Sequence, residues 1–373
     1  MKIDRIEAIP VRVPLKAGWT TKTAHGIHAT SDYVVIRVYT DNGPVGLGEA
    51  TVAPRWTGET SGTCLKVIEE LLAPDLVGRN PLEITQLRAR MDRVVKLNPF
   101  TKAGIEMALW DIAGKVANMP VCQLLGGPVR QLMPIKLVIG AFDEANVIQL
   151  AERFLGMGVQ CLKVKTGIDP DEDVARVRTV RTVAGPKIPI TIDSNCGWNE
   201  TQARHTLRRL GEFNVLLAEQ PIAPGDVAAM AALRATAPMP LMADESVFTL
   251  DDAHRLTAAR AVDILSVYPG KHCGIAGTVE IAHVAKAAGI TCAIGSNLEL
   301  GIGTAAMLHV AAALPTSLKL DVTLEKRNKT SEMQILARDQ PEAGAMSFTR
   351  QQAPHGRRGR NMFGVGHDGH QCL

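Results

Sequence analysis

From about Pro134 onward, short apolar runs alternate with amphipathic stretches, one unit every roughly 25–30 residues. Eight runs have the length and composition of strands: Ile135–Ile139, Cys161–Lys165, Ile190–Asp193, Val215–Glu219, Leu241–Asp244, Ile264–Tyr268, Thr291–Ile294 and Leu318–Asp321. Helical patterns such as Val174-Val177-Val180 fill most of the gaps. Eight strands separated mainly by helices predict a (β/α)₈ TIM barrel. A doubly wound sheet is the alternative, but no GxGxxG motif follows the first run.

The chain before this point has a different pattern. The apolar run 33–39, the turn Asp41-Asn42-Gly43 and the return at 45–47 predict a hairpin. Helical periodicity follows, and the Met119-Pro120 step ends it. Its apolar face consists of Ile105, Ala108, Leu109, Ile112 and Val116. We therefore predict an α/β protein in which an α+β domain over 1–125 precedes the barrel over 126–325.

The last part of the chain, 326–373, breaks the barrel pattern. It is rich in Arg, Gly, His and Gln, as in Gly356-Arg357-Arg358-Gly359-Arg360, and has little apolar periodicity. This composition is typical of a surface or disordered extension. We predict an atypical tail with irregular structure and little burial.

The bulk composition narrows the class of protein. With 373 residues the chain exceeds a single core, and 46% hydrophobic and 21% charged residues are typical of a soluble protein. The net charge of +3 is too small to indicate nucleic acid or membrane partners. Charges in 1–7 argue against a signal peptide, and seven cysteines without a CxxC pair indicate reduced thiols. These features predict a cytoplasmic location.

Three successive predicted strands end in an acidic residue: Asp193, Glu219 and Asp244. Barrel active sites lie at the C-terminal ends of the strands, so these side chains are expected to converge. A single acid there usually caps a helix or contacts water. Three converged carboxylates, however, raise one another's pKa unless a cation lies between them. Hard oxygen ligands without His or Cys favour Mg²⁺, with Mn²⁺ as a substitute.

The preceding strand carries two lysines, in Lys163-Val164-Lys165. Strand alternation places both ammonium groups on one face. Each is expected to lower the pKa of the other, as does a nearby metal, so that a neutral amine exists near pH 7. Such an amine can remove a weakly acidic α-proton beside a metal-bound carboxylate. A solvent-exposed pair and a Schiff-base lysine are alternatives, although imine chemistry needs no metal.

Four further polar residues belong to the same strand ends. Asn195, two residues beyond Asp193, is a candidate substrate-binding group or a turn residue. Gln220 and Glu245 directly follow their acids and are expected to orient neighbouring groups by hydrogen bonding. Glu299, just past the seventh predicted strand, is a candidate to line the substrate pocket.

In combination, these residues resemble the enolase superfamily, specifically its muconate lactonizing enzyme (muconate cycloisomerase) and mandelate racemase-like members. The resemblance extends to about residue 325 and includes the helix Ala108–Lys115, the segment Leu124–Gly127, the lysine pair and the three evenly spaced acids. It implies an N-terminal capping domain over a modified barrel, one essential Mg²⁺ and abstraction of a proton α to a substrate carboxylate. It also implies a homo-oligomer.

The resemblance also implies roles for single residues. Lys165 becomes the proton-transferring base and Lys163 its electrostatic partner. The polar loop 16–30 and the segment 51–60 close over the substrate and set specificity.

The sixth predicted strand departs from the subgroup pattern K-x-x-K-x-G-G, since this chain reads Tyr268-Pro269-Gly270-Lys271-His272-Cys273-Gly274. Tyr268 stands where the subgroup has its second catalytic lysine, and a phenol is a candidate acid or hydrogen-bond donor. Lys271 is retained and is a candidate substrate-binding group. A reaction with one base on one face is therefore favoured over a two-lysine racemisation.

We expect an isomerase or lyase that abstracts a proton α to the carboxylate of a small carboxylic acid. The reaction would pass through a metal-stabilised enediolate and lead to cycloisomerisation or dehydration. A racemase or epimerase of the same subgroup is one alternative, and a non-catalytic metal- and carboxylate-binding relative is another. No motif encodes the identity of the substrate.

Overall fold

The computed structural model describes residues 1–16 and 18–315, together with the backbone of 332–334. The strands of the N-terminal part are β1 (Ile3–Pro14), β2 (Thr21–Thr23), β3 (Gly26–His28), β4 (Thr30–Thr40) and β5 (Gly46–Ala50). The later strands are β6 (Leu132–Pro134), β7 (Leu137–Ile139), β8 (Leu162–Lys165), β9 (Ile190–Asp193), β10 (Val215–Glu219), β11 (Leu241–Ala243), β12 (Ile264–Val267), β13 (Thr291–Ile294) and β14 (Glu332–Gln334).

Helices alternate with the later strands. The helices before the barrel are α1 (Pro54–Thr57), α2 (Ser61–Val67), α3 (Ala73–Leu76), α4 (Ile84–Val94), α5 (Pro99–Ala117) and α6 (Val121–Leu124). Those of the barrel are α7 (Glu144–Gly156), α8 (Pro170–Ala184), α9 (Glu200–Leu210), α10 (Val227–Arg234), α11 (Leu250–Ala258), α12 (Ile275–Ala287) and α13 (Gly301–Ala313). A π-helical turn (Ile68–Leu72) joins α2 to α3, and a 3₁₀ turn (Gly211–Phe213) follows α9.

The N-terminal part is an antiparallel three-stranded sheet covered by α5. β4 pairs with both β1 and β5, so the predicted hairpin is confirmed. The predicted apolar face of α5 packs on this sheet, except that Val116, in the last turn, is exposed. This contact is close because glycines face each other: a Cβ added to Gly48 would lie 1.7 Å from the carbonyl oxygen of Gly104.

Gly48→Ala is expected to lower the free energy of unfolding by about 1–3 kcal/mol or more, because backbone must move to admit the methyl group. Urea unfolding followed by circular dichroism measures the change. Gly62→Ala is the matched control, since the nearest atom to its added Cβ is the Thr60 hydroxyl at 3.8 Å. Equal stabilities of the two variants would show that α5 does not pack as described.

The later strands form a seven-stranded parallel sheet in which β7 to β13 are neighbours in chain order. The predicted bounds of β9, β10 and β13 are confirmed, and those of β7, β8, β11 and β12 shift by one or two residues. The eighth predicted strand, Leu318–Asp321, lies outside the described residues. The chain is therefore an α/β protein with a barrel-type parallel sheet behind an antiparallel capping domain.

Most of the tail, 326–373, also lies outside the described residues. The exception is β14, which pairs antiparallel with β6. This short stretch of the predicted irregular extension therefore has regular backbone structure.

Side-chain alternation along the parallel strands separates two environments. One face packs against the helices, as Val164 and Ile192 do in the large barrel core. The other face is lined by an apolar layer at its lower level: Leu217, Met242, Ile264 and Ala293. The polar residues at the strand ends lie above this layer. No helix in the described ranges is long and apolar enough to cross a membrane.

Candidate active site

Four neighbouring parallel strands bring the predicted acids and lysines to one edge of the sheet. In the strand register Lys165 is the partner of Asp193, and Asp193 is the partner of Glu219. Glu219 pairs in turn with Met242, two residues before Asp244. All three acids are buried. The predicted convergence at the C-terminal strand ends is present for these groups.

Lysine ammonium groups neutralise the buried carboxylates. The Nζ atom of Lys163 lies 2.7 Å from Asp193 Oδ2 and 2.6 Å from Glu219 Oε2. Lys165 Nζ lies 2.6 Å from the same Asp193 oxygen, and Lys271 Nζ lies 2.6 Å from Asp244 Oδ1. Asp193 and Glu219 thus share one cation, whereas Asp244 has a lysine of its own.

These ion pairs shift the pKa values of three buried groups. Burial by itself lowers the pKa of Lys163, but the charges of Asp193 and Glu219 and the hydrogen bonds to them outweigh it and raise that pKa. The expected lowering of the lysine pKa values beside a bound metal stays a prediction. Burial raises the pKa of Asp193, and the charges of Lys163 and Lys165 outweigh burial and lower it. Burial and the nearby Asp193 charge raise the pKa of Glu219.

Asn195 lies between a lysine and an acid. Its Oδ1 accepts a hydrogen bond from Lys165 Nζ at 2.7 Å, and its Nδ2 donates to Glu245 Oε1 at 2.9 Å. An amide suits this position because one end accepts and the other donates. The Lys165 ammonium is therefore held by two side chains of the strand that follows it, Asp193 and Asn195.

Gln220 ties neighbouring strand ends together. Its Oε1 accepts from the backbone N–H groups of Asp244 and Ser246 at 2.9 and 3.1 Å, and its Nε2 donates to the Ser246 hydroxyl at 2.7 Å. This geometry agrees with an orienting role for Gln220. The side chain fixes the backbone from which Asp244 projects.

Tyr268 and Lys271 have different surroundings. Tyr268 is fully buried near the acids and 6.4 Å from the Trp56 ring, and its hydroxyl has no hydrogen-bond partner among the described residues. Burial, then the charges of Asp244 and Glu299, raise its pKa. Lys271 Nζ donates to Asp244 Oδ1, Asp244 O and Ser266 O at 2.6–2.9 Å. All three protons of that ammonium are donated to protein oxygens, so Lys271 holds Asp244, and its role in substrate binding stays a prediction.

Glu299 is buried at the end of the loop after β13. Its carboxylate accepts from the Ser296 hydroxyl at 2.6 Å and from the Asn297 N–H at 2.9 Å. Burial raises its pKa, and the charge of Asp244 acts in the same direction. Glu299 therefore lies close enough to Asp244 for the two charges to interact, and its place in the lining of the substrate pocket stays a prediction.

Two residues at the site were not singled out from the sequence. Lys136 Nζ lies 4.0 Å from Glu219 Oε2, and burial, then the Lys163 charge, lower its pKa. His25, in the loop between β2 and β3, has its Nε2 3.5 Å from Glu245 Oε1. The sequence does carry a signal for Lys136, because this lysine interrupts the apolar run 135–139. His25 belongs to the polar loop 16–30 that is expected over the substrate, but no local pattern indicates Glu245 as its neighbour, because only folding brings residue 25 to residue 245.

The donor set fits Mg²⁺ by chemistry and charge, although no three His, Cys, Asp or Glu side chains in the described part of the chain are arranged as a metal site. Asp193, Glu219 and Asp244 carry hard carboxylate oxygens, the donor type that Mg²⁺ prefers, at or next to adjacent strand ends. The Lys163 ammonium lies within 2.7 Å of two of them, which indicates that this pair can share a cation.

Two family models match the chain: "Enolase C-terminal domain-like" over residues 146–354, and "Mandelate racemase / muconate lactonizing enzyme, N-terminal domain" over 5–126. The chain is 33% identical to the N-succinyl-L-Arg/Lys racemase of Bacillus cereus over 83% of its own length and 84% of that protein. It is 36% identical to the chloromuconate cycloisomerase CbnB of Cupriavidus necator over 85% of its length and 86% of that protein.

A solved structure supports the same relationship. The dipeptide epimerase of Enterococcus faecalis, complexed with Mg and L-Leu-L-Tyr, superimposes with a TM-score of 0.81 at 30% identity, covering 85% of this chain and 89% of that one. These relatives are enzymes that include cycloisomerases, racemases and epimerases. The chain therefore belongs to the enolase superfamily, among its mandelate racemase and muconate lactonizing enzyme-like members.

Proposed function

We propose that this protein is a Mg²⁺-dependent isomerase or lyase that moves a proton at the carbon α to the carboxylate of a small acid. The observation that supports this most strongly is the Lys163–Asp193–Lys165 cluster at the barrel mouth, with both ammonium groups within 2.7 Å of one carboxylate. Lys165 is the better candidate base because it lies farther along β8, nearer the strand's C-terminal end.

Each residue has a distinct task in this proposal. Lys165, once neutral, accepts the α-proton on Nζ, and the C–H electron pair passes toward the substrate carboxylate. Asp193 and Asn195 hold Nζ in position. Lys163 adds positive charge beside the reacting carboxylate. Asp193, Glu219 and Asp244 would hold Mg²⁺, which when bound stabilises negative charge on that carboxylate.

The residue after β12, Tyr268, favours a one-base reaction. Its pKa is raised, so at neutral pH its phenol is protonated and can donate but cannot accept a proton. In a dehydration, the hydroxyl leaving the β-carbon would take a proton from Tyr268 and depart as water. In a cycloisomerisation, a carboxylate oxygen adds to a double bond and the Lys165 ammonium returns a proton to the α-carbon.

In a dehydration, Tyr268→Phe is expected to lower net turnover by about 10²-fold while α-proton exchange through Lys165 continues, because only the hydroxyl donor is lost. The fold should persist, since that hydroxyl bonds no described residue. Deuterium uptake and product formation are measured on the same samples. Tyr39→Phe, which removes a hydroxyl bonded to Glu7 on the capping sheet, is the matched control. Loss of exchange in Tyr268→Phe would contradict the one-base scheme.

A panel of carboxylic acids in D₂O with Mg²⁺ tests the function itself. It should include chloromuconate, N-succinyl-L-arginine, the dipeptide L-Leu-L-Tyr and several acid sugars. Lactone formation or loss of water supports the proposal. Absence of both turnover and deuterium uptake with every acid would contradict the proposed function and favour the alternative of a non-catalytic carboxylate-binding protein.

A racemase or epimerase is the second candidate. The relatives that carry this activity match the chain over as much of its length as the cycloisomerases do. The same panel separates the two, because a racemase converts one enantiomer into the other and incorporates deuterium only at the inverted carbon. That result would replace the preferred reaction class and require a second proton carrier opposite Lys165.

A further inference from the structure

The hairpin formed by β2 and β3 reaches the C-terminal edge of the barrel sheet. The backbone N–H of Ala141, just after β7, donates to the carbonyl oxygen of Lys22 at 2.8 Å. Before the hairpin, Trp19 stacks on Phe154 of α7 with ring centroids 5.8 Å apart. The hairpin is therefore attached at its base, and its turn extends over the strand ends.

His25 is the residue of this turn that points at the active site. Its Nε2 atom is buried, makes no hydrogen bond to any described residue, and lies 3.5 Å from Glu245 Oε1. Arg55, from the segment that follows β5, donates to the His25 carbonyl oxygen and so holds the turn from the other side. His28, the other histidine of the hairpin, forms a hydrogen bond with the Ser31 hydroxyl at 2.6 Å.

Two hydrogen bonds connect Glu245, which faces the hairpin, with Lys165, the proposed base. The same oxygen that faces His25, Oε1, accepts a hydrogen bond from Asn195 Nδ2 at 2.9 Å. The Oδ1 of Asn195 then accepts from Lys165 Nζ at 2.7 Å. Glu245 and Asn195 are both buried, so water cannot readily replace these contacts. A movement of His25 toward or away from Glu245 is thus transmitted to the group that orients Lys165.

We infer that His25 is a positioning residue that closes the β2–β3 hairpin on Glu245 and, through Asn195, sets the orientation of Lys165. The inference deepens the proposed function and rests on it for the role of Lys165. Closure of the hairpin over the active site and orientation of Lys165 would then occur together. A hairpin that only covered the site would leave these two events independent. Substrate would then meet an oriented amine only when the hairpin is closed.

The contact between His25 and Glu245 is tested without any substrate. Hydrogen–deuterium exchange of the backbone amides of 21–28 is measured in the full chain for wild type, His25→Ala, Glu245→Gln and the double variant. His25→Ala should exchange about fivefold faster, on the order of what one lost polar contact contributes. The double variant should exchange no faster than the faster single variant, because both changes break one contact. Unchanged exchange in His25→Ala, or multiplied effects in the double variant, would overturn the inference.

His28→Ala is the matched control for that experiment. It removes a histidine from the same hairpin without touching Glu245, so it should leave the amide exchange of Thr21 and Lys22 unchanged. An equal effect of His28→Ala and His25→Ala would mean that the hairpin is merely destabilised by losing a side chain, and the inference would fail.

The link to Lys165 is tested with the acid that the panel finds to be turned over fastest. His25→Ala should lower kcat at saturating substrate about tenfold or more, since a misoriented base slows the chemical step. His25→Gln, whose amide can donate to Glu245, should recover part of the loss. A rise in KM with unchanged kcat would show that His25 only contacts substrate, which overturns the coupling. Wild type that acts on no acid refutes the proposed function, whereas the amide exchange result still decides the hairpin contact.

Discussion

Replacing Lys165 by alanine is expected to abolish proton exchange at the substrate α-carbon, with a fall in rate of about 10²–10⁴-fold or more. The physical reason is the loss of the only amine at the end of β8 whose ammonium is shared between Asp193 and Asn195. The nearby Lys163 cannot substitute, because its ammonium is bound between two carboxylates that raise its pKa. Deuterium uptake from D₂O into the substrate, followed by NMR, measures exchange separately from product formation.

The matched control for this variant is Lys286→Ala, which removes an exposed lysine from α12. Its exchange rate should equal that of wild type. Lys163→Ala should fall between the two, since it removes charge beside the reacting carboxylate but leaves the base. Normal exchange in Lys165→Ala would show that another group carries the proton and would end the assignment.

Replacing Asp193 by asparagine is expected to weaken Mg²⁺ binding by on the order of 100-fold or more, because a charged oxygen ligand becomes a neutral amide. Isothermal titration with MgCl₂ measures this directly and needs no substrate. Turnover should be lost in parallel. Asp251→Asn, which changes an exposed acid on α11, is the matched control and should bind Mg²⁺ as wild type does.

Asp193→Asn also removes the shared partner of two buried ammonium groups, Lys163 and Lys165. Lys163 then keeps only Glu219, and Lys165 only the amide of Asn195, so the variant should unfold at lower urea concentration. Circular dichroism before each titration confirms that the protein titrated is folded. A folded Asp193→Asn protein with unchanged Mg²⁺ affinity would exclude Asp193 as a ligand.

The pH dependence of stability follows from the same carboxylate. The folded-state pKa of Asp193 is lowered relative to its unfolded value, so its contribution to stability is present above the unfolded pKa of about 4. That contribution is lost as the pH falls through the folded value. Wild type should therefore lose stability on acidification below about pH 4 more steeply than Asp193→Asn, which has no proton to take up there.

The sequence alone determined the barrel-type sheet and the position of its acids. Strands buried on both faces leave a continuous apolar run, and an acid at the end of such a run is visible in the sequence, as at Asp193 and Glu219. Regular spacing of the units predicts that the ends of neighbouring strands meet, because parallel strands share one edge. The placement of Glu299, Gln220 and Asn195 follows from the same local rule.

Only the tertiary structure decided how the charges are paired. Strand alternation places Lys163 and Lys165 on one face, but it does not say that the carboxylates of the next strands outweigh their mutual repulsion. The pKa of Lys163 therefore depends on the carboxylates of the neighbouring strands, since Coulomb energies depend on distances across strands. From the sequence, Lys271 is likewise expected to have a free amine. In the fold, however, its ammonium donates all three protons to oxygens of Asp244 and Ser266.

The contact between His25 and Glu245 lies entirely beyond local pattern. The two residues are far apart in the chain, and neither the turn at 24–25 nor the strand end at 244–245 encodes the distance between them. That distance depends on how the capping domain sits on the barrel, which many packed side chains determine together. Periodicity reports which face of an element is buried, whereas the partner across that face is a property of the assembled fold.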